Sequence, residues 1–290
     1  MNFDKNTKIL IVGLGLIGGT YARALTEKGY DVGAIDRNEN SIEFALSKGW
    51  IKSGRTDVEK EYVERFDLVV FAVYPHTLFE WIDNYGAYIK DGALVTDVTG
   101  VKGSVVKKAQ STLKKSVEFI GAHPMAGREV SGVENADPKM FCGANYIVVP
   151  TDENTPEAID VCKKLGRELG FDNIAVLSPR QHDEMAGFLS HLTHCIAVSL
   201  MVCKDSTHLA SYTGDSFRDL TRIAKINDDM WSELFLLNKD ELLEQMELFE
   251  ERFNALKRFI ENDDRDAIRQ MMQLSTARRK VFDKDAKEKK

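Results

Sequence analysis

An apolar, β-branched run, Ile9-Leu10-Ile11-Val12, meets Gly13-Leu14-Gly15-Leu16-Ile17-Gly18, and a helical pattern from Leu16 to Lys28 follows at once. Strand, tight turn and helix in that order leave few folds open. Gly13 permits the turn, Gly15 lets a pyrophosphate approach the backbone, and Gly18 lets the helix lie close to its strand. The exposed N–H groups of such a helix start attract phosphate. A second strand, Asp31 to Ile35, delivers Asp36 about twenty residues after the last glycine, where a carboxylate takes both hydroxyls of an adenosine ribose.

Asp36 and Arg37 decide which dinucleotide. A carboxylate about 4 Å from a 2′-phosphate costs roughly 4 kcal/mol per unit charge at an effective dielectric of about 20. Arg37 offsets that only if it turns to the ribose, so NAD is expected over NADP.

Strand-like runs then alternate with amphipathic helical ones: Leu68 to Val73, Leu94 to Val98, Glu118 to Ala122, Asn145 to Val149 and Asn173 to Leu177. That alternation reads as a doubly wound α/β sheet of Rossmann type. After Ser178-Pro179 helical periodicity dominates. The 290 residues therefore divide into a dinucleotide-binding domain, 1–180, and an all-helical substrate and dimerisation domain, 181–290. The apolar run Ala186 to Cys203 is long enough to invite a membrane reading. His191, His194 and the flanking Asp183, Glu184, Lys204 and Asp205 instead predict a fully buried helix and no membrane partner.

The net charge of −7 is spread along the chain, with basic clusters only at Arg278 to Lys280 and Lys287 to Lys290, which argues against nucleic acid. Cys142, Cys162, Cys195 and Cys203 form no C-x-x-C and no paired metal spacing, and read as buried thiols in a reducing cytoplasm. Asp4, Lys5 and Lys8 put charge where a signal peptide carries its apolar region.

The strand ending at Val73 leads into Tyr74-Pro75-His76, at the sheet edge where ligands of this architecture sit, so Val73, Tyr74 and Pro75 are expected beside the coenzyme. His76 reads as structural or solvent-facing. Asp97-Val98-Thr99-Gly100-Val101-Lys102 reaches the same edge. Thr99 there either contacts nicotinamide and substrate or caps a helix.

The most specific chemistry lies in Phe119-Ile120-Gly121-Ala122-His123-Pro124-Met125-Ala126-Gly127. A histidine leaves a strand at the ligand edge, its backbone fixed by proline. An unperturbed imidazole, pKa about 6.5, is mostly neutral at cytoplasmic pH and accepts a proton from a hydroxyl. Beside nicotinamide, that pairing implies hydroxyl oxidation by hydride transfer. Gln181-His182-Asp183-Glu184 and Ser190-His191-Leu192-Thr193-His194 put three histidines on one helical stretch. Such histidines are usually core, but the spacing lets one face the cleft. No further ligand motif completes a metal site. Arg218 and Arg222, four apart in Gly214-Asp215-Ser216-Phe217-Arg218-Asp219-Leu220-Thr221-Arg222, either clamp a dicarboxylate or form surface pairs with Asp219 and its neighbours. Glu233 to Ile260 and Asp264 to Val281 read as long amphipathic helices, with more apolar stripe than one short domain needs; an isologous dimer follows.

Together these blocks resemble the prephenate dehydrogenase family of tyrosine biosynthesis, across nearly the whole chain. The resemblance implies NAD-dependent oxidative decarboxylation of prephenate to 4-hydroxyphenylpyruvate. It implies that His123 is the catalytic histidine, His194 a second active-site histidine, and Arg222 the holder of a substrate carboxylate. Glu129 matches a carboxylate at the site entrance, and His191 falls within the same substrate-binding block. Arg218 and Asp219 match residues that reach the site from the partner subunit. Many relatives carry serine at Gly100, where Thr99 is the available substitute. Asp215-Ser216 replaces glycines of some relatives and makes arogenate the alternative substrate. The chain ends too early for a regulatory domain of the family, so inhibition by tyrosine would act at the active site. β-Hydroxyacid dehydrogenases share the two-domain plan but rely on a lysine without the setting of His123. A non-catalytic NAD sensor is the remaining alternative.

Overall fold

The computed structural model describes residues 3–128, 130–205 and 207–282. β1 (Lys8–Val12), α1 (Leu16–Glu27) and β2 (Asp31–Ile35) form the unit that the glycine pattern predicts. The chain continues through α2 (Glu39–Ser47), β3 (Ser53–Arg55), α3 (Lys60–Val63), β4 (Leu68–Phe71), α4 (Pro75–Tyr85), β5 (Leu94–Asp97), α5 (Gly103–Thr112) and β6 (Glu118–Met125). β7 (Asn145–Val149), α6 (Pro156–Leu169) and β8 (Asn173–Val176) close the sheet, in the order β3-β2-β1-β4-β5-β6-β7-β8.

β1 to β6 run parallel, and β7 returns antiparallel to β6. The reversal has a physical reason. Among the described residues, the connection after Met125 holds two 3₁₀ turns, Val133–Asn135 and Pro138–Phe141, and no crossover helix to carry the chain back for a parallel return. β3 escaped the sequence reading because Ser53-Gly54-Arg55 carries no apolar run. Apolar clusters cover both faces of the sheet; Ile9, Ile11, Tyr21 and Leu25 belong to one, and Leu10, Phe71, Trp81 and Val95 to the other.

α7 (Pro179–Ala186) runs through a π turn, Gly187–His191, into α8 (Leu192–Val202). Pro179–Val202 has the length and apolarity to cross a membrane, yet only 28% of its 18-residue apolar window is buried. Phe188 (55% exposed) and Val202 (77%) correct the expectation of a fully buried helix. The cysteines correct a second one, because Cys162 is buried as expected but Cys195 is half-buried and Cys142 and Cys203 are exposed. α9 (Asp215–Thr221) and α10 (Asp228–Leu237) follow. α10 stops at Asn238 and α11 (Lys239–Glu261) starts anew, so the single helix expected from Glu233 is two. α12 spans Arg265–Arg279.

The described chain forms two compact units, Met1–Lys239 and Asp240–Lys290. In the second, α11 and α12 carry exposed Leu243, Leu248, Phe253, Met272 and Leu274 along their lengths.

Candidate active site

The carboxyl ends of β1, β2, β4 and β5 bring together the residues expected to hold a dinucleotide. Gly13 lies at φ +95°, and a Cβ there would sit 2.5 Å from the Ala72 carbonyl oxygen. At Gly18 it would sit 1.9 Å from the carbonyl oxygen of Gly13. Gly15 is different, because its Cβ would meet nothing within 4 Å. The fold itself thus demands two of the glycines and leaves open space at the third. No side chain caps the first turn of α1, so its N–H groups keep their capacity for an anion. The cradle fits a pyrophosphate.

Asp36 is fixed beside that cradle, its two carboxylate oxygens accepting the N–H of Leu14 (2.5 Å) and of Asn38 (2.8 Å). Arg37 is exposed. Leu14 and Leu16 are buried in the core and Ile17 is half-buried, so these three line the turn through their backbone. Val73 and Tyr74 lead to Pro75, the buried first residue of α4. The loop is tied to α10: Asn227 donates to the Tyr74 hydroxyl (3.1 Å), and Glu233 accepts both the N–H and the Nδ1 of His76. His76 is exposed and is tied to α10 by that carboxylate.

β6 carries His123 and Pro124 within the strand, opposite Ile147 and Tyr146 of β7, rather than in a turn beyond it. Proline is tolerated because β5 pairs with β6 only as far as Ile120, leaving that edge of β6 free of ladder partners. His123 keeps a partly open ring. Its Nδ1 lies 2.9 Å from Nε2 of His182, whose own Nδ1 lies 2.8 Å from Oδ1 of Asp183. The Asp183 carboxylate also accepts the N–H groups of Lys102 and Gly103, each at 2.7 Å.

This chain of contacts fixes every proton. Burial pushes the Asp183 carboxyl up, but His182 and the two backbone donors outweigh it and hold it below the ordinary value. An ionised carboxylate only accepts, so the His182 proton is on Nδ1 and its Nε2 is an acceptor. His123 must then donate from Nδ1, which leaves its Nε2 with a free lone pair. Burial, then the neighbouring His182 and Lys102, hold His123 well below its usual pKa. The ring is neutral, with its acceptor lone pair on Nε2.

Beneath it, Lys102 and Asp97 form a fully buried ion pair. The Lys102 ammonium donates to Asp97, to the Thr99 carbonyl (2.8 Å) and to the Thr99 hydroxyl (3.0 Å), using all three protons. Asp97 further accepts from the Thr99 N–H (3.0 Å), the Thr99 hydroxyl and the Ala122 N–H (3.2 Å). A buried pair holds only when satisfied in this way. Thr99 is 5% exposed, and its hydroxyl is engaged by the pair. A Cβ on Gly100 would point between Leu234 (3.4 Å) and Cε1 of His123 (4.0 Å).

The helical segment supplies the facing wall. His191 is buried, and His194 stacks on Trp231 with ring centroids 3.6 Å apart. Arg218 and Arg222 do not form a clamp on one helix, because α9 ends at Thr221 and Arg222 opens a 3₁₀ turn. Arg218 pairs with Asp215 at 3.2 Å, and Arg218, Asp219 and Arg222 are all exposed in the single chain. Glu129 lies outside the described residues. Sequence reasoning gave no role to His182, Lys102 or Asn238. The usable signals were a charged pair, His182-Asp183, at the head of an apolar helix and a lysine closing a strand-end loop.

A Rossmann-type sheet with a dinucleotide cradle, followed by helices that set histidines over the same edge, defines a two-part pyridine-nucleotide dehydrogenase architecture. The family description "Prephenate dehydrogenase, nucleotide-binding domain" matches residues 21–174, and "Prephenate dehydrogenase, dimerization domain" matches 178–274. The chain belongs to the prephenate dehydrogenase family. It is 30% identical to the prephenate dehydrogenase of Bacillus subtilis over 278 residues, 92% of this chain and 74% of that protein. It is 29% identical to the cyclohexadienyl dehydrogenase of Zymomonas mobilis, covering 90% of each. The crystal structure of Aquifex aeolicus prephenate dehydrogenase with hydroxyphenyl propionate and NAD+ superposes with a TM-score of 0.87 at 31% identity, over 96% of this chain and 98% of that one.

Proposed function

We propose that this chain is an NAD-dependent prephenate dehydrogenase, with residues 1–180 carrying the coenzyme and 181–290 the substrate wall and dimer contacts. The observation that carries the reading is the His123–His182–Asp183 series of contacts, which leaves His123 a neutral imidazole with its acceptor lone pair on Nε2. Bound NAD+ supplies the hydride acceptor for the hydroxyl-bearing ring carbon, and carbon dioxide leaves as the ring aromatises to 4-hydroxyphenylpyruvate. His123 takes the hydroxyl proton on Nε2 as the hydride leaves and returns it to the phenolate oxygen once carbon dioxide is lost. The imidazolium so formed is stabilised through His182 by the Asp183 carboxylate. Asp36 favours NAD over NADP at the ribose.

His191, His194 and Arg222 hold the substrate, with Arg222 set against a carboxylate. Arg218 and Asp219, exposed in one chain, are assigned to the partner's site in a homodimer, which the match to a dimerization domain supports. Glu129 is assigned to the entrance. Tyrosine, which shares the aromatic ring of the product, is assigned as a competitor at this site, and the protein to the cytoplasm. The pairing of Asp215 with Arg218 occupies the carboxylate that an arogenate ammonium would need, and so favours prephenate.

The test is a side-by-side assay of prephenate and arogenate with each coenzyme, followed at 340 nm. Turnover fastest with prephenate and NAD+, abolished in His123→Asn with NAD+ binding retained, is the expected result. NAD+ binding without turnover of either substrate supports the sensor reading instead.

A further inference from the structure

Asn238 is buried at the C-terminal end of α10, with its side-chain nitrogen 2.9 Å from the backbone carbonyl oxygen of Asp183 and 3.1 Å from Nδ1 of His191. A carbonyl oxygen only accepts, so the amide group facing Asp183 is the NH2 and not the oxygen. Its second proton then points at Nδ1 of His191, which must offer a lone pair. The ring's own proton is therefore on Nε2.

The local helix geometry makes this contact available. Eight residues of regular α-helix would leave His191 about 80° around the axis from Asp183. The π turn Gly187–His191 inserts the extra residue that takes up that rotation, so one amide reaches both residues. His191 is 1% exposed, and its ring lies 6.0 Å, centroid to centroid, from those of Trp231 and Phe235. Burial, with His182 and His194 nearby and only Asp183 opposing, holds it neutral, at a pKa of about 4.

We propose that Asn238 is a positioning residue that holds His191 as an obligate hydrogen-bond donor, Nε2–H, for an oxygen of the substrate. One residue, Asp183, thus sets two imidazoles with opposite polarity. Its carboxylate, through His182, makes His123 present a lone pair; its backbone carbonyl, through Asn238, makes His191 present a proton. An anionic or keto substrate needs both, a base at its hydroxyl and a donor at an oxygen. The substrate half of this inference rests on the reading under Proposed function, whereas the tautomer does not.

The test is ¹⁵N–¹H spectroscopy of the histidine-labelled full chain, wild type and Asn238→Asp, with steady-state kinetics on the same samples. The wild-type His191 ring, assigned by its absence in His191→Gln, is expected as Nε2–H. In Asn238→Asp the new carboxylate accepts from Nδ1, so the ring changes to Nδ1–H, and KM for prephenate rises about tenfold while kcat changes less. An Nδ1–H ring in the wild type overturns the inference, even if the variant does not fold. An Nε2–H ring that persists in Asn238→Asp also overturns it. Absence of prephenate turnover by a wild type whose His191 is Nε2–H overturns the functional reading and leaves the role of Asn238 in fixing the ring supported.

Discussion

Asp183 accepts the backbone N–H of Lys102 at 2.7 Å, and through that contact the helix bearing His182 hangs from the sheet edge that bears Asp97 and Thr99. Lys102 serves both sides of the site, its main chain anchoring the acid end of the relay and its ammonium neutralising Asp97. The His123–His182–Asp183 geometry is therefore built where two segments distant in sequence share one residue.

The relay carries the first prediction. Asp183→Asn preserves shape, but its amide must face one of two N–H donors or the Nδ1–H of His182 with another N–H, so the His182 tautomer is no longer dictated. His123 then loses its enforced Nε2 lone pair. We expect kcat to fall by about 10²- to 10⁴-fold, the range general base catalysis supplies. The dissociation constant for NAD+, measured by fluorescence titration, stays within about twofold. A kcat within a few-fold of wild type excludes the relay from catalysis.

Lys102→Met leaves Asp97 buried with no cation. Removing one partner of a buried pair costs about 3–5 kcal/mol, most of it the uncompensated charge. Urea unfolding is expected to show that loss. The double variant Lys102→Met with Asp97→Asn removes the stranded charge and recovers part of it. A double variant no more stable than the single one contradicts this account.

The glycine turn, the alternating strands and the His-Pro strand end were legible because backbone geometry restricts which residues tolerate those positions. Gly13 at φ +95° and Gly18 against a carbonyl oxygen leave no alternative to glycine, and the sequence advertises it. The relay was not legible. His123 and His182 are 59 positions apart, and only the sheet edge and the start of α7 bring them to 2.9 Å. Nor was the engagement of the Thr99 hydroxyl by the Lys102–Asp97 pair legible, because it depends on a lysine side chain folded into the interior. The wide turn at Gly187–His191 is equally invisible to a 3.6-residue periodicity, which carries no mark of the extra residue.

Acid stability follows from three histidines held neutral. His123, His182 and His191 all have folded-state pKa values below the ordinary one, burial being the first cause in each. In the unfolded chain each takes a proton near pH 6.5, so below that pH the unfolded state binds more protons and gains. Their stabilisation is intact above about 6.5 and is lost as pH falls towards the folded value, which for His191 is about 4. Each group contributes a slope of up to about 1.4 kcal/mol per pH unit. The urea midpoint is expected to fall steadily from pH 7 to pH 5, and less steeply in His191→Gln. A midpoint flat over that interval removes the neutral-histidine argument.

The two kinds of glycine in the coenzyme turn separate folding from binding. At Gly18, alanine brings its Cβ within 1.9 Å of the Gly13 carbonyl oxygen, a backbone atom with no room to retreat. Overpacking of that sort costs about 1–3 kcal/mol, and Gly18→Ala is expected to melt earlier whether or not NAD+ is present. At Gly15 the backbone has φ −77° and ψ −161°, which alanine adopts without strain, and the added Cβ meets no protein atom within 4 Å. Alanine at such a position stabilises by about 0.4–1 kcal/mol through the unfolded chain. Gly15→Ala is therefore expected to melt at or slightly above the wild-type temperature while binding NAD+ at least about tenfold more weakly, because the methyl group takes the space left for the pyrophosphate. Calorimetric melting with and without NAD+ reads both quantities in one experiment. Unchanged NAD+ affinity in Gly15→Ala places the dinucleotide elsewhere on the sheet edge and removes the premise on which the position of His123 acquires its chemistry.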